Sequence, residues 1–259
     1  MSEFADDLRL AHELADTADS IALTRFVAPD LAVSLKLDNT VVSDADQSTE
    51  QAIRLALSAA RPRDAVHGEE LADTGSGSRQ WIIDPIDATA NYVRGVPVWA
   101  TLIALMVDGI VRVGLVSAPA LGRRWWATED AGAWMGKSLL TSTQLHVSSV
   151  DKLGDAFISY SGLSEWTGSG REQQFIGLLR DCDRTRAFGD FFSYMLVAQG
   201  AVDIATEPKL ALHDMAALDV IVREAGGCFT NLDGVDGPFG PGAIATNARL
   251  HPAVVARLH

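Results

Sequence analysis

One stretch constrains this chain more than any other: Trp81-Ile82-Ile83-Asp84-Pro85-Ile86-Asp87-Ala88-Thr89. A short apolar strand runs straight into two carboxylates three residues apart. Pro85 stiffens the turn between them. Ala88-Thr89 then opens a helix, so its free N–H groups face the same space. Acids at the carboxyl end of a buried strand, beside donors for an anion, suit a site that holds a metal ion and a phosphate together. Read singly, an Asp before a helix is an N-cap and a pair of Glu is a solvated face. The sharper reading requires that distant acids converge in the fold.

Hydrophobic periodicity divides the chain in two. Residues 2–26 read as a helix capped by Ser2, with Leu8, Ala11, Ala15, Ala18 and Ala22 on one face. Residues 31–43 read as an extended hairpin around Asp38-Asn39, and 46–60 as a second helix ended by Arg61-Pro62. Segment 74–78 is a Gly/Ser loop. Apolar runs at 98–107 and 110–117 meet at Val107-Asp108-Gly109 as a hairpin, and Trp125–Ala127 and Ala133–Trp134 continue the strands. From about 150 the pattern alternates. Strands fall at 155–160, 184–188, 201–205, 228–231 and 243–246, and helices at 171–181, 190–199, 214–225 and 251–258. Gly226-Gly227 ends the helix at 214–225. The expected architecture is α/β: a helix pair on a mostly antiparallel sheet over 1–150, then an α/β lobe over 151–259, both in one compact fold.

Composition removes several classes of function. Lys plus Arg number 21 and Asp plus Glu 34, a net charge of −13. Such a surface repels phosphate backbones and anionic lipid, which argues against a nucleic-acid or membrane-surface binder. Cys182 and Cys228 form no CxxC pair, so neither a disulfide framework nor a thiolate zinc site is expected. No apolar run approaches the ~20 residues of a membrane span. The acidic, amphipathic first residues do not read as a signal peptide, and a cytoplasmic setting is expected. Gly132-Ala133-Trp134-Met135-Gly136-Lys137-Ser138 is one residue short of a P-loop and lies among strands, so nucleotide binding is not expected there.

Three further acidic segments are candidates to join Asp84 and Asp87: His67-Gly68-Glu69-Glu70, Asp44-Ala45-Asp46 at the start of the second helix, and Asp214 at the start of the helix at 214–225. Gly68-Glu69-Glu70, then Asp84-Pro85-Ile86-Asp87-Ala88-Thr89-Ala90-Asn91-Tyr92, then His213-Asp214-Met215-Ala216 resemble, in order and spacing, the motifs of the inositol monophosphatase family of Mg²⁺-dependent phosphatases. The likeness runs from Lys36 to Gly226-Gly227. Within the family, Val93–Trp99, Ser117–Trp126 and Phe188-Gly189-Asp190-Phe191 are most similar to actinobacterial histidinol-phosphatases.

The resemblance implies a layered αβαβα sandwich, a homodimer, and two or three Mg²⁺ ions. It implies that Glu69, Asp84 and the Ile86 carbonyl hold a first ion, and that Asp84, Asp87 and Asp214 hold a second. Asp46 with Glu69 would hold a third. Thr89 with Glu69 would polarise the attacking water, and the amides of Ala88 and Thr89 would hold phosphate. Glu207 stands where the family places a substrate-binding acid. Divalent cations would reverse the local sign and let a phosphate dianion enter a pocket of carboxylates. Histidinol phosphate carries a cationic amine and an imidazole: Asp190 and Glu207 would accept the amine, while Tyr92 or Trp99 would flank the ring or else pack in the core. Arg94 is a candidate phosphate-side residue.

The chain departs from the family's pattern at a few positions. Ala88 replaces a glycine. If that position needs φ > 0, Ala costs about 1 kcal/mol or more; if it merely starts a helix, Ala is tolerated. His213 replaces a tryptophan, as a packing substitute or as a contact to metal-bound water. Ser43 replaces a threonine. Leu37 and Val41 replace prolines and should loosen the 37–43 loop. Arg123-Arg124 reads as a salt-bridged pair or a partner-facing one, and Trp125-Trp126 as core or dimer interface.

The expected function is hydrolysis of a small phosphate monoester, L-histidinol phosphate first and inositol 1-phosphate second. A catalytically weakened metal-binding regulatory protein is the reading from another class.

Overall fold

A computed structural model of the protein describes residues 3–36 and 39–259. Ser2 as a helix cap, and Leu37 and Asp38 at the hairpin tip, lie outside the described residues. Helix α1 (Ala5–Arg25) is followed by the hairpin β1 (Val33–Leu35) and β2 (Val41–Ser43), then α2 (Asp44–Ala60), β3 (Ala65–Gly68), β4 (Arg79–Asp87) and α3 (Thr89–Tyr92). Next come β5 (Ala100–Val107), β6 (Ile110–Ala118), β7 (Arg123–Thr128), β8 (Ala133–Ser138) and β9 (Thr141–Gln144). The second half holds β10 (Phe157–Ser159), α4 (Leu163–Trp166), α5 (Glu172–Asp181), β11 (Arg184–Arg186), α6 (Asp190–Ala198) and β12 (Ile204–Glu207). It closes with α7 (Leu212–Glu224), β13 (Cys228–Thr230), β14 (Ala243–Thr246) and α8 (His251–Leu258).

Strands β3 to β9 form one sheet in chain order, antiparallel except for the parallel β3–β4 pair. A second sheet has the order β11-β10-β12-β14-β13. Helices α1 and α2 pack on one face of the first sheet, around Leu14, Ile53, Leu57, Trp81 and Leu115. Its other face and the second sheet enclose α6 and α7, whose apolar residues join Ile82, Leu102, Trp125, Ala205 and Phe229 in one core. Beyond the second sheet lie α4, α5 and α8, around Trp166, Phe175 and Leu258. The layers run αβαβα, as the resemblance implies. Because α6 and α7 are apolar on most of their surface, they suit a middle layer buried on both sides.

Alanines at 11, 15, 18 and 22 form the buried stripe of α1, as their spacing indicates. Trp125 and Trp126 are consecutive in a strand and so point to opposite faces. Trp125 packs towards Phe191 and Phe192 of α6, and Trp126 meets the edge of His12 on α1. Both are core. Arg124 is nearly buried and binds Asp16 at 2.9 Å and Asp19 at 2.6 Å, while Arg123 is exposed. The P-loop look-alike is strand β8 leading into β9, with no helix after it.

Several element boundaries differ from those expected from the sequence, among them the following. The second helix starts at Asp44, because Ser43 caps it, and α7 starts at Leu212 rather than Asp214. The strand expected at 201–205 lies at 204–207. Strand β4 does not stop at Asp84 but runs on to Asp87, with a register irregularity between them. Strand β9 and helix α4 carry too little periodicity to be seen in the sequence.

Candidate active site

The irregularity in β4 builds the site. Alternation along a regular strand would send residues 84 and 87 to opposite faces. Here Asp84 pairs with Leu102 and Asp87 with Ala100, so β4 carries one extra residue there. A bulge of this kind re-aims side chains. The Pro85 carbonyl, freed from the ladder, accepts the Thr101 hydroxyl at 2.8 Å. Both carboxylates then serve one pocket.

The third acid arrives on α7. Gly114 of β6 lets this helix lie close on the sheet, since a Cβ there would stand 2.7 Å from the Ala217 carbonyl oxygen. Asp214 sits in the first turn and accepts the Ala211 N–H at 2.6 Å. One carboxylate oxygen from each of Asp84, Asp87 and Asp214 lies within 4.8 Å of the others. Glu69, just past the end of β3, adjoins Asp84. Burial first, and then the charges of Glu69, Asp87 and Asp214, push the Asp84 carboxyl well above the usual carboxylate range. Asp87 is pushed up by burial, then by Asp190 and Asp214. The α6 N-terminus opposes this by donating the Phe191 N–H to Asp87 at 2.9 Å.

The set fits a divalent cation. Oδ1 of Asp84 is buried and has no hydrogen-bond donor among the described residues. Oxygen-only ligands suit a hard divalent cation such as Mg²⁺ or Ca²⁺. Few basic side chains lie nearby. Lys36 bridges Glu69 at 2.7 Å and Glu70 at 2.6 Å, and His213 Nε2 lies 3.5 Å from Asp214. Among the described residues none of Asp84, Asp87, Asp190 or Glu207 has a Lys, Arg or His partner within ion-pair distance.

Asp46 is held by hydrogen bonds at both of its oxygens. Its Oδ2 accepts the Ser43 N–H at 2.8 Å and the Ser43 hydroxyl at 2.6 Å, closing the capping box of α2. Its Oδ1 accepts the Thr89 hydroxyl at 3.1 Å. Thr89 Oγ1 is also 2.9 Å from the Ile86 carbonyl oxygen. Asp46 therefore reaches the site through Thr89 and stands outside the three-aspartate group.

Ala88 has φ 66 and ψ 45, the left-handed conformation. The strained branch of the sequence expectation is the one realised, at about 1–2 kcal/mol. In exchange the turn presents the Thr89 end of α3 beside Asp87. Tyr92 and Trp99 are fully buried, edge to face at 4.9 Å, and the Tyr92 hydroxyl donates to the Ala22 carbonyl at 2.7 Å. They are core residues, which removes them as flanks for a substrate ring. Arg94 is exposed, and its guanidinium has no ion-pair partner among the described residues. His213 stacks on His67 with ring centroids 6.1 Å apart, and its Nδ1 is buried.

Asp190 and Glu207 lie beyond the aspartates. Asp190 starts α6 with φ 49, after Gly189 with φ 90. Asn91 Nδ2 reaches its carboxylate at 3.4 Å. Burial, then Glu165 and Asp214, raise the Asp190 carboxyl to about 6. Glu207 ends β12, is 3% exposed, and is pushed well up by burial, then by Asp190 and Glu165. Sequence reasoning reached both acids but missed Ser161 and Glu165, which face them, because an exposed acid on a four-residue helix has no periodic signature.

The chain is similar to known proteins over its whole length. The inositol monophosphatase family model matches residues 5–259. Histidinol-phosphatase of Streptomyces coelicolor is 57% identical over 263 residues, covering 100% of this chain and 99% of that protein. Histidinol-phosphatase of Mycobacterium tuberculosis is 53% identical over 255 residues, covering 98% of each. Among solved structures, the extragenic suppressor protein SuhB from Bartonella henselae superposes with a TM-score of 0.89 at 27% identity, covering 98% of both chains.

Proposed function

The chain belongs to the inositol monophosphatase family and is a phosphoric monoester hydrolase, and on that premise we propose that it converts L-histidinol phosphate to L-histidinol and inorganic phosphate, a step of histidine biosynthesis. The observation that carries the reaction is the meeting of Asp84, Asp87 and Asp214 oxygens within 4.8 Å, with Glu69 beside them. The whole-length likeness to two histidinol-phosphatases supports the substrate.

Glu69, Asp84 and the Ile86 carbonyl would hold one Mg²⁺, and Asp84, Asp87 and Asp214 a second; Asp46 with Glu69 would serve a third. Bound Mg²⁺ supplies positive charge for the phosphate and activation of water for in-line attack. Thr89 would donate a hydrogen bond to Asp46 through its hydroxyl and so turn a lone pair towards the attacking water, which Glu69 would orient from the other side. The Ala88 and Thr89 amides bind phosphate oxygens. Asp190 and Glu207 would accept the substrate amine, and Arg94 would serve at the phosphate side. Residues 1–150 carry the metal ligands of the first sheet, and 151–259 supply Asp190, Glu207 and Asp214. By analogy with related phosphatases the protein works as a homodimer. Among the described residues no helix is long and apolar enough to cross a membrane, and a cytoplasmic setting suits a biosynthetic enzyme.

The test is phosphate release from L-histidinol phosphate and from inositol 1-phosphate, each with Mg²⁺ and with EDTA. A higher kcat/KM for histidinol phosphate that disappears in EDTA is the expected result. Equal or reversed rates would assign the inositol ester instead, and absence of turnover on both would favour a metal-binding regulatory protein.

A further inference from the structure

The turn Ser161-Gly162-Leu163-Ser164-Glu165 belongs to no motif and holds no metal ligand. It is nevertheless tied to both outlying acids. Ser161 Oγ accepts the Asp190 N–H at 2.6 Å and hydrogen-bonds the Glu207 carboxylate. The Gly162 N–H donates to Glu165, which folds that side chain back over its own turn. Three carboxylates are thereby brought to one wall: Glu207 at the base, Asp190 half-buried, and Glu165 exposed at the rim.

This wall lacks what it needs to be stable alone. Oε1 of Glu207 is buried and has no hydrogen-bond donor among the described residues, and the Tyr194 hydroxyl lying against it is equally enclosed. None of Glu165, Asp190 or Glu207 has a Lys, Arg or His partner within ion-pair distance among the described residues. Carboxylates that repel one another, with a buried oxygen left undonated and no cation to pair them, are costly unless a ligand brings both charge and N–H groups. Their oxygens do not close together as those of the three aspartates do. An alkylammonium offers three N–H donors and a full charge, whereas the hydroxyls of a neutral polyol offer no charge.

We propose that the 161–165 turn is the specificity element of this site: Ser161 positions Asp190 and Glu207, and Glu165 at the rim completes a three-carboxylate acceptor for the ammonium group of the substrate. The proposal rests on the phosphomonoesterase reading above and adds to it a residue that selects cationic esters.

Kinetics at saturating Mg²⁺ with L-histidinol phosphate and with p-nitrophenyl phosphate test it. In Glu165→Gln the KM for histidinol phosphate should rise about tenfold, with kcat within about twofold, the effect of one partly screened charge. The preference over p-nitrophenyl phosphate falls in proportion, and Glu165→Asp restores most of it. In the unaltered protein, L-histidinol should compete with p-nitrophenyl phosphate about tenfold better than its N-acetyl derivative, which has lost the positive charge. Equal losses on both substrates in Glu165→Gln, or no loss on either, overturn the role of Glu165. Equal competition by the amine and its acetylated form overturns the ammonium site. Failure to hydrolyse either ester in the presence of Mg²⁺ would instead overturn the phosphomonoesterase reading, and with it this one.

Discussion

Asp87→Asn should make the metal-free protein more stable while it abolishes turnover. Oxygens of Asp84, Asp87 and Asp214 lie within 4.8 Å of one another. At an effective dielectric of about 20, two unit charges that far apart repel by about 3.5 kcal/mol, so the two neighbours of Asp87 set a ceiling of about 7 kcal/mol. Proton uptake lowers that ceiling, because burial and neighbouring carboxylates hold Asp84 and Asp87 far above their usual range. A gain of about 1–3 kcal/mol is expected from removing the charge. The asparagine carbonyl can still accept the Phe191 N–H now bonded at 2.9 Å, so little else is lost. Mg²⁺ reverses the order. A ligand at a hundred times its Kd stabilises the native state by about 2.7 kcal/mol, and the variant has lost a ligand atom. Thermal unfolding in EDTA and in Mg²⁺ reads both effects. With about 2–4 °C per kcal/mol for a chain of this size, the variant's midpoint should lie about 2–12 °C above wild type in EDTA and below it in Mg²⁺. Phosphate release should fall by orders of magnitude. A variant less stable than wild type in EDTA, or a wild type indifferent to Mg²⁺, refutes the argument that this cluster is built around a cation.

Substitutions at two other positions probe the frame of the site. His12 is buried beneath Arg124, and burial first, then the Arg124 charge, lowers its pKa to about 4. The unfolded chain therefore binds the extra proton between about pH 6.5 and 4. Stability that is present above pH 6.5 is lost as pH falls through that window, by about 2 kcal/mol at pH 5. His12→Phe should remove this component, so that urea unfolding at pH 7.5 and pH 5 differs less in the variant by that amount; an unchanged difference would show that His12 does not titrate as stated. Ala88→Gly relieves a left-handed residue worth about 1–2 kcal/mol but loosens the unfolded chain by about 0.4–1 kcal/mol, for a net gain of up to about 1.5 kcal/mol. Ala88→Val, β-branched at positive φ, should lose more than about 2 kcal/mol. Equilibrium unfolding of the pair checks the signs, and a destabilised glycine variant together with a neutral valine variant would contradict the turn geometry.

Local chemistry made much of this protein readable before any coordinates. Apolar runs placed β5 and β6, and the Asp108-Gly109 turn between them has positive φ at both residues, as a tight hairpin requires. Gly226-Gly227 stops α7, and the alanine stripe marks the inner face of α1. Asp84-Pro85-Ile86-Asp87 stood out because an acid at the end of an apolar run has few structural uses. The shift in β4 did not show, because a bulge is a relation between two strands and β5 supplies half of it. Tyr92 and Trp99 looked equally suited to a ligand or a core, and only the packing of Phe26, Ala22 and Ile86 around them made them core.

What the sequence by itself determined was therefore the inventory: helices, strands, turn residues, and a surplus of acids with too few cations to pair them. Tertiary structure decided the assignments. It sent Asp46 to cap α2 and hold Thr89, brought Asp214 on α7 against Asp84 and Asp87, and put Glu165 on the same wall as Glu207. The physical reason is range. Periodicity and capping act over a few residues and are written in adjacent side chains. Electrostatic crowding in a buried pocket depends on distances between chain positions more than a hundred residues apart, which exist only once the layers have packed.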